Sequence, residues 1–247
     1  MTILTNEAEI RKIREAGKII RELFAYAEAI VREGVSTKDL DRELESLVEK
    51  SGAEPAFKGY KGYPATICAS VNEVVVHGIP SEEIVLKEGD IVGIDVGVKK
   101  NGYFADGART FTVGKVDEEA GRLIRVTREC LAEGIKEAVA GNRVSDISNA
   151  IQNVAWREGY QEVRAFVGHG IGKQLHEPPE VPNWGEKGKG PLLKEGLVLA
   201  IEPMINIGTR RIRVLKDGWT AVTEDGRLSA HFEDTIIVGK RRAEIIT

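Results

Sequence analysis

The chain has 247 residues, a formal net charge of −4 at pH 7, and is 42% hydrophobic and 30% charged. That length buries a sizeable core without disulfide staples, and the composition excludes a disordered chain. The acidic balance excludes nucleic-acid binding driven by net charge, no apolar run reaches the roughly 18 residues of a membrane span, and the first residues lack a basic-then-apolar signal.

Residues 7–33 carry Ile10, Ile13, Ala16, Ile19, Ile20, Leu23, Phe24, Ala27, Ile30 and Val31 at spacings of three and four, one apolar stripe of a helix. Asn6 with Glu9 reads as a capping box, and Gly34 as a stop. A second helix spans 37–50 on Leu40, Leu44, Leu47 and Val48 and stops at Gly52. Strand signals follow at 65–77, 84–98 and 103–113. Helices are expected at 118–139 and 145–158, then strands at 163–168, 197–207, 211–223 and 228–239. The proline- and glycine-rich stretch 178–191 reads as a loop. Only Cys68 and Cys130 occur, without metal or redox spacing, which fits a reducing compartment; the cytoplasm is the expected location, with no membrane partner.

The two helix pairs look alike. Gly34 is followed by Leu40, Leu44, Leu47, Val48 and Gly52, and Gly141 is followed at the same offsets by Ile147, Ile151, Val154, Ala155 and Gly159. The same shift of 107 residues lays Lys87-Glu88-Gly89 and the apolar run ending at Asp95 onto Lys194-Glu195-Gly196 and the run ending at Glu202. Helical periodicity imitates the first match but not the second in the same register. One α+β domain over 1–247 is expected, with an internal repeat of about 1–107 and 108–247 and helices covering one face of a curved, mostly antiparallel sheet.

The chemistry gathers at strand ends. Asp95 ends an apolar strand, an expensive position for an unpaired charge. The Asn101-Gly102 turn pairs Gly97 with Asp106, which sets Asp95 and Asp106 on one face as diagonal neighbours, about 7–8 Å apart at the backbone. Glu202 holds the repeat position of Asp95, and Glu233 corresponds to Asp106 once an extra hairpin, turning at Asp217-Gly218 and Asp225-Gly226, is allowed for. A pseudo-twofold axis would bring the four carboxylates together. His169 lies in Gly168-His169-Gly170-Ile171-Gly172, where glycines admit close approach of a ligand; the run has no βαβ context, so a phosphate loop is disfavoured. Two Asp, two Glu and one His have the composition of a site for two divalent cations, with oxygen-rich donors suited to Mn²⁺, Fe²⁺ or Co²⁺ as well as Zn²⁺. The chemistry such a site implies is hydrolysis.

These residues carry a family resemblance. The chain resembles type I methionine aminopeptidases of the pita-bread fold over nearly its whole length. The matching segments include Gly59-Tyr60-Lys61-Gly62-Tyr63-Pro64, His77-Gly78-Ile79-Pro80, Ile94-Asp95-Val96-Gly97, Val167-Gly168-His169-Gly170-Ile171-Gly172, His176-Glu177-Pro178-Pro179, Ala200-Ile201-Glu202-Pro203-Met204 and Asp217-Gly218-Trp219-Thr220. The resemblance implies metal ligation by Asp95, Asp106, His169, Glu202 and Glu233, with Asp106 and Glu233 bridging. It implies Glu202 as general base, His176 as donor to the tetrahedral oxyanion, and His77 against the peptide beyond the scissile bond. Tyr60, Tyr63, Cys68, Leu175 and Trp219 are the implied wall of a methionine pocket, and a monovalent cation is implied near Asn72 and Ser229. His231 receives no role. Asp234 stands where many relatives have histidine and is expected to add negative charge beside the metals; Phe57 leaves the pocket's shape open.

The implied activity is removal of the initiator methionine from nascent chains and peptides when the second residue is small. The implied partners are nascent N-termini, with the ribosome a further candidate, no specific nucleic acid, and a monomeric state. A proline-specific peptidase of the same fold would carry an additional N-terminal domain, whereas the first helix here starts by residue 7. A metal-free binding module would have lost ligands. A type II enzyme would carry a helical insertion that the short interval between His169 and Glu202 lacks. The sites, not the fold, choose among these.

Overall fold

Asn6 starts the first helix, α1 (Glu7–Ile30), by accepting at its side-chain oxygen from the Glu9 amide at 3.0 Å, while the Glu9 carboxylate accepts from the Thr5 amide. The structure, a computed structural model, describes residues 1–247. The helix stops before the expected Gly34 because Val31 turns to extended geometry, and the Gly34 amide instead donates to the Leu86 carbonyl. Helix α2 (Thr37–Lys50) begins at a capping box formed by Ser36 and Asp39. The chain continues through β1 (Glu54–Pro55), β2 (Ile67–Val71), β3 (Val74–Val76), β4 (Ile91–Lys100) and β5 (Tyr103–Thr112) to α3 (Glu118–Glu137) and α4 (Val144–Arg157). Then come β6 (Gln161–Glu162), β7 (Gly168–Gly170), β8 (Glu177–Val181), β9 (Val198–Ile201) and β10 (Met204–Asn206). The chain closes with β11 (Ile212–Val214), β12 (Ala221–Thr223), β13 (Ser229–His231), β14 (Glu233–Ile237) and β15 (Glu244–Ile245).

The main sheet runs β1-β4-β5-β14-β9-β7-β8, with β2 also on β4 and β15 on β14, every pair antiparallel. Strands β5 and β14 lie at its centre and β4 and β9 flank them. One apolar core joins α1 and α2 to β2, β4 and β5; another joins α3 and α4 to β9, β10 and β14. Helix α1 packs over Gly107, where a Cβ would approach Ile20 and Phe24 to 3.2 Å. Side chains alternate along a strand, so Asp106 and Ala108 point away from α1. The helix-covered face carries the two larger cores, and the opposite face holds the acidic residues beside a smaller apolar cluster that includes Cys68, Leu175 and Ala200.

Three segments depart from the pattern expected of them. Residues 84–90 are not strand: the Asp90 carboxylate accepts from the Lys87 amide at 2.8 Å and closes a turn before β4 begins. Residues 163–167 are irregular and pairing starts only at Gly168. Residues 177–181 form an edge strand inside the stretch that reads as a loop, because Pro178 and Pro179 need no amide for a neighbour on the open side.

Candidate metal centre and substrate pocket

The Asn101-Gly102 hairpin has positive φ at both positions, 51° and 80°, as a two-residue turn of this type requires. Its register pairs Gly97 with Asp106 and Asp95 with Ala108, the diagonal relationship expected from the sequence. Across the centre, Ala108 pairs with Glu233, so Glu233 joins the face of Asp95 and Asp106. His169 pairs with Ala200 on β9, and Glu202 lies one residue beyond the end of that strand. All five line one cavity of about 170 Å³.

Donor atoms of Asp106, His169 and Glu233 lie within 4.8 Å of one another. His169 Nε2 is 3.6 Å from Glu202 Oε1 and 4.0 Å from Asp106 Oδ2. The His169 Nδ1 faces the Gly170 carbonyl at 2.9 Å; a carbonyl only accepts, so Nδ1 carries the proton and Nε2 offers its lone pair to the cluster. Burial pushes Asp95, Glu202 and Glu233 well above the usual carboxylate range, with the neighbouring acids adding to it, and raises Asp106 to about 7. Burial lowers His169 to about 4. Asp95 Oδ1 and Glu233 Oε1 are buried without any hydrogen-bond partner. Four gathered carboxylates, two of them with a buried oxygen that lacks any partner, and one neutral imidazole fit two divalent cations, whose charge removes the penalty of gathering four acids.

The same cavity is walled by Tyr60, Tyr63, Cys68, Leu175 and Trp219, and His77 and His176 border it. Cys68 reaches it because β2 pairs Cys68 with Asp95. Burial pushes the Cys68 thiol well above its ordinary value, so it stays a neutral, apolar wall. Tyr63 donates within reach of the Ile67 and Gly78 carbonyls, at 3.0 and 3.1 Å, and meets Trp219 edge to face at 5.1 Å. Trp219 is aimed by a turn in which the Asp217 carboxylate accepts from the Trp219 and Thr220 amides. His176 lies over His169, with ring centroids 4.2 Å apart, and stacks on Tyr60, whose hydroxyl is 3.0 Å from Nδ1. Burial, with His169 beside it, lowers His176 to about 3. His77 has a φ of 60°, in the left-handed region a non-glycine residue rarely adopts, and its ring is wedged edge-on against Phe166 and Trp219.

The profile of metallopeptidase family M24 matches residues 11–240. The chain belongs to that family. The methionine aminopeptidase of Clostridium perfringens is 52% identical over 247 residues, covering 100% of this chain and 99% of the relative. The solved methionine aminopeptidase of Thermotoga maritima superposes with a TM-score of 0.97 at 44% identity, over 100% of this chain and 99% of that one. A prolidase from Pyrococcus furiosus shares the fold at a TM-score of 0.80, with 24% identity and 65% of its own length covered. The α+β architecture is therefore the pita-bread arrangement that the motifs imply.

Other positions extend or correct the sequence reading. Phe57 and Lys61 also line the cavity, and Gly97 makes room for Phe57, since a Cβ there would lie 2.7 Å from its ring. Phe166 supports His77 but belongs to no motif that the sequence displays. Asp234 does not face the cluster: it lies on the α1 side, paired with Arg109, whose guanidinium in turn lies 4.9 Å from the Phe24 ring. The Ser229 amide donates to the Asn72 carbonyl at 3.0 Å, so these two residues adjoin.

Proposed function

We propose that this M24 chain removes N-terminal methionine from peptides and nascent proteins when the second residue is small, by hydrolysis of the first peptide bond. The observation that carries this reading is one cavity that joins five metal-donor side chains to an apolar pocket of the right kind for a thioether. Its likeness to methionine aminopeptidases over the full length of both chains supports the same conclusion.

Asp95, Asp106, His169, Glu202 and Glu233 would hold the cations, with Asp106 and Glu233 shared between the two. Divalent cations there supply Lewis acidity, lowering the pKa of water and polarising the scissile carbonyl. Glu202 takes the proton of the attacking water and passes it to the departing amine. His176, with Tyr60 donating to Nδ1, keeps its proton on Nε2 and donates it to the developing oxyanion. His77 borders the side chain that follows the scissile bond. Tyr60, Tyr63, Cys68, Leu175 and Trp219 hold the methionine side chain and exclude water from it.

The sequence halves, about 1–107 and 108–247, act in this reading as one catalytic unit, because Asp106 and Glu233 come from different halves. A monovalent cation near Asn72 and Ser229 belongs to the same reading, as do a monomeric, cytoplasmic enzyme and encounter with chains at the ribosome. No helix is long and apolar enough to cross a membrane.

Metal-stripped protein loaded with Co²⁺ or Mn²⁺ is expected to cleave Met-Ala-Ser and to leave Xaa-Pro peptides intact. Cleavage of the Xaa-Pro peptides instead would assign the site to a proline-specific peptidase, and full activity in metal-free protein, checked by elemental analysis, would remove the metal chemistry altogether.

A further inference from the structure

Of the four histidines in the chain, His231 alone has no part in the proposed reaction, yet it is 4% exposed and its Nε2 has no hydrogen-bond partner. A buried polar atom left unpaired is costly, so its setting calls for a partner. The carboxylate beside it is that of Glu202: His231 Nε2 is 3.8 Å from Oε2, while Oε1 of the same carboxylate faces His169 Nε2 at 3.6 Å. The backbone of His231 is held on both sides. Thr110 bridges its amide and carbonyl, at 3.0 and 2.8 Å, and β13 pairs His231 with Met204, two residues after Glu202.

We propose that His231 is a positioning residue for Glu202, its Nε2–H holding Oε2 so that Oε1 stays turned to His169 and the metal cluster. The separation of 3.8 Å exceeds a hydrogen bond, so the role assigned to His231 requires the Glu202 carboxylate to turn toward it. Contacts of this kind are often long in the unliganded state and tighten in the working complex. Orientation of a base by a third group recurs in enzymes of unrelated fold, and outer partners of metal ligands typically contribute about 10–100-fold in affinity or activity. The sequence hides this role because His231 becomes a neighbour of Glu202 only when β10 and β13 pair. The proposal rests on Glu202 acting as base and metal holder.

The test compares His231→Leu, which removes the donor, with His231→Gln, which keeps one at similar reach. Calorimetric titration of Mn²⁺ into metal-free protein and kcat and KM on Met-Ala-Ser are the readouts. The Leu variant is expected to lose about 10–100-fold in kcat with KM little changed and to bind Mn²⁺ more weakly; the Gln variant recovers most of both. If Leu does not fold, His231→Asn, whose amide is too short to reach Glu202, is expected to show the same losses. Folded Leu or Asn variants with wild-type kcat and Mn²⁺ affinity overturn the proposal. Loss of one Mn²⁺ equivalent in every variant also overturns it, since His231 would then be a ligand itself. Glu202→Gln separates the two levels: turnover in that variant defeats the functional reading, whereas an inactive Glu202→Gln beside fully active Leu and Asn variants defeats only the role of His231.

Discussion

Thr235 clasps Asp106 across the centre of the sheet: its hydroxyl accepts from the Asp106 amide at 3.0 Å and donates to the Asp106 carbonyl at 2.8 Å. Backbone pairing between β5 and β14 covers only Glu233 with Ala108 and Asp234 with Gly107. Thr110 makes the equivalent pair of bonds to His231 at the other end. Two hydroxyls thus extend a short ladder that carries both Asp106 and Glu233. Thr235→Val leaves the Asp106 amide and carbonyl unpaired in the core, at about 1–3 kcal/mol for each group. Urea unfolding of metal-free protein is expected to move its midpoint down by a corresponding amount, with recovery in Thr235→Ser. An unchanged midpoint in the Val variant would show that the ladder needs no such support.

The same seam contains the Arg109–Asp234 ion pair, with Arg109 also donating to the carbonyls of Ala108 and Glu233. Asp234 is 6% exposed, so taking away its cation strands a charge in the interior. Arg109→Met is expected to cost about 3 kcal/mol, the low end for a broken buried pair because Arg109 keeps some contact with solvent. Arg109→Met with Asp234→Asn recovers much of the loss. A double-mutant cycle in urea measures this; additive effects of the two changes would mean that the pair contributes nothing as a pair.

What could be read before the structure follows from the range of the interactions involved. Asp95, Gly97 and Asp106 were legible because Asn101-Gly102 fixes the register of a hairpin whose strands are neighbours in sequence. The shift linking Asp95 to Glu202 was legible because the same turn and apolar run precede both. Asp234 was half read: its charge does add to the rise of Glu233, but strand alternation turns its side chain to the helix side, where its partner Arg109 is 125 positions distant in the chain. Strand β8 was hidden by its prolines, which disfavour a central strand but not an edge. Phe166 and His231 act through contacts that exist only after distant segments meet, and nothing in their local pattern announces it.

Glu202→Gln is expected to abolish turnover while the protein remains folded, since an amide cannot accept the proton from water. Circular dichroism confirms the fold and a peptidase assay the loss; near-normal turnover would assign the base elsewhere. His176→Ala is expected to lower kcat by about 10²–10³, the scale for one oxyanion donor. A change confined to KM would make His176 a binding residue for the ground state. Tyr60→Phe, which removes the hydroxyl facing Nδ1, is expected to lower kcat in the same direction by a smaller factor.

The loop carrying Leu175 and His176 is gathered by one carboxylate. Glu177 accepts from the Thr2 hydroxyl at 2.9 Å and from the Lys173 and Gln174 amides at 3.0 and 2.9 Å, and pairs with the Met1 ammonium at 2.8 Å. Burial pushes Glu177 up, but the bonds from the ammonium, the Thr2 hydroxyl and the Gln174 amide together hold it below its ordinary value. A carboxylate lowered in the folded state contributes stability above its unfolded pKa of about 4.3 and loses it as the pH falls through the lowered value. Glu177→Gln is therefore expected to be less stable than the parent at pH 6–7, with the gap closing as the pH drops below about 4. Thermal melts across pH 3–7 check this, and a gap that is constant with pH would separate the loop's stability from the charge of Glu177.

The size filter on the second substrate residue depends on how firmly the rim is held. His77 is fixed in its backbone at a φ of 60°, and its ring stands edge-on to Phe166 and Trp219, with centroids 5.1 and 6.1 Å away. Trp219 is itself set by the Asp217 turn, so the rim has few ways to yield to a large side chain. The parent enzyme is expected to cleave Met-Ala-Ser and Met-Thr-Ile with kcat/KM at least about 10-fold above that for Met-Lys-Ile, as a tight pocket achieves against extra methylenes. His77→Ala removes the ring that closes the rim and is expected to narrow that ratio, chiefly by admitting the lysine peptide, while general contact with the second residue weakens and KM for Met-Ala-Ser rises. Equal kcat/KM for the three peptides with the parent would refute the filter itself. A ratio that persists in His77→Ala would move the filter to another part of the rim, and Trp219→Ala is then the variant that decides it.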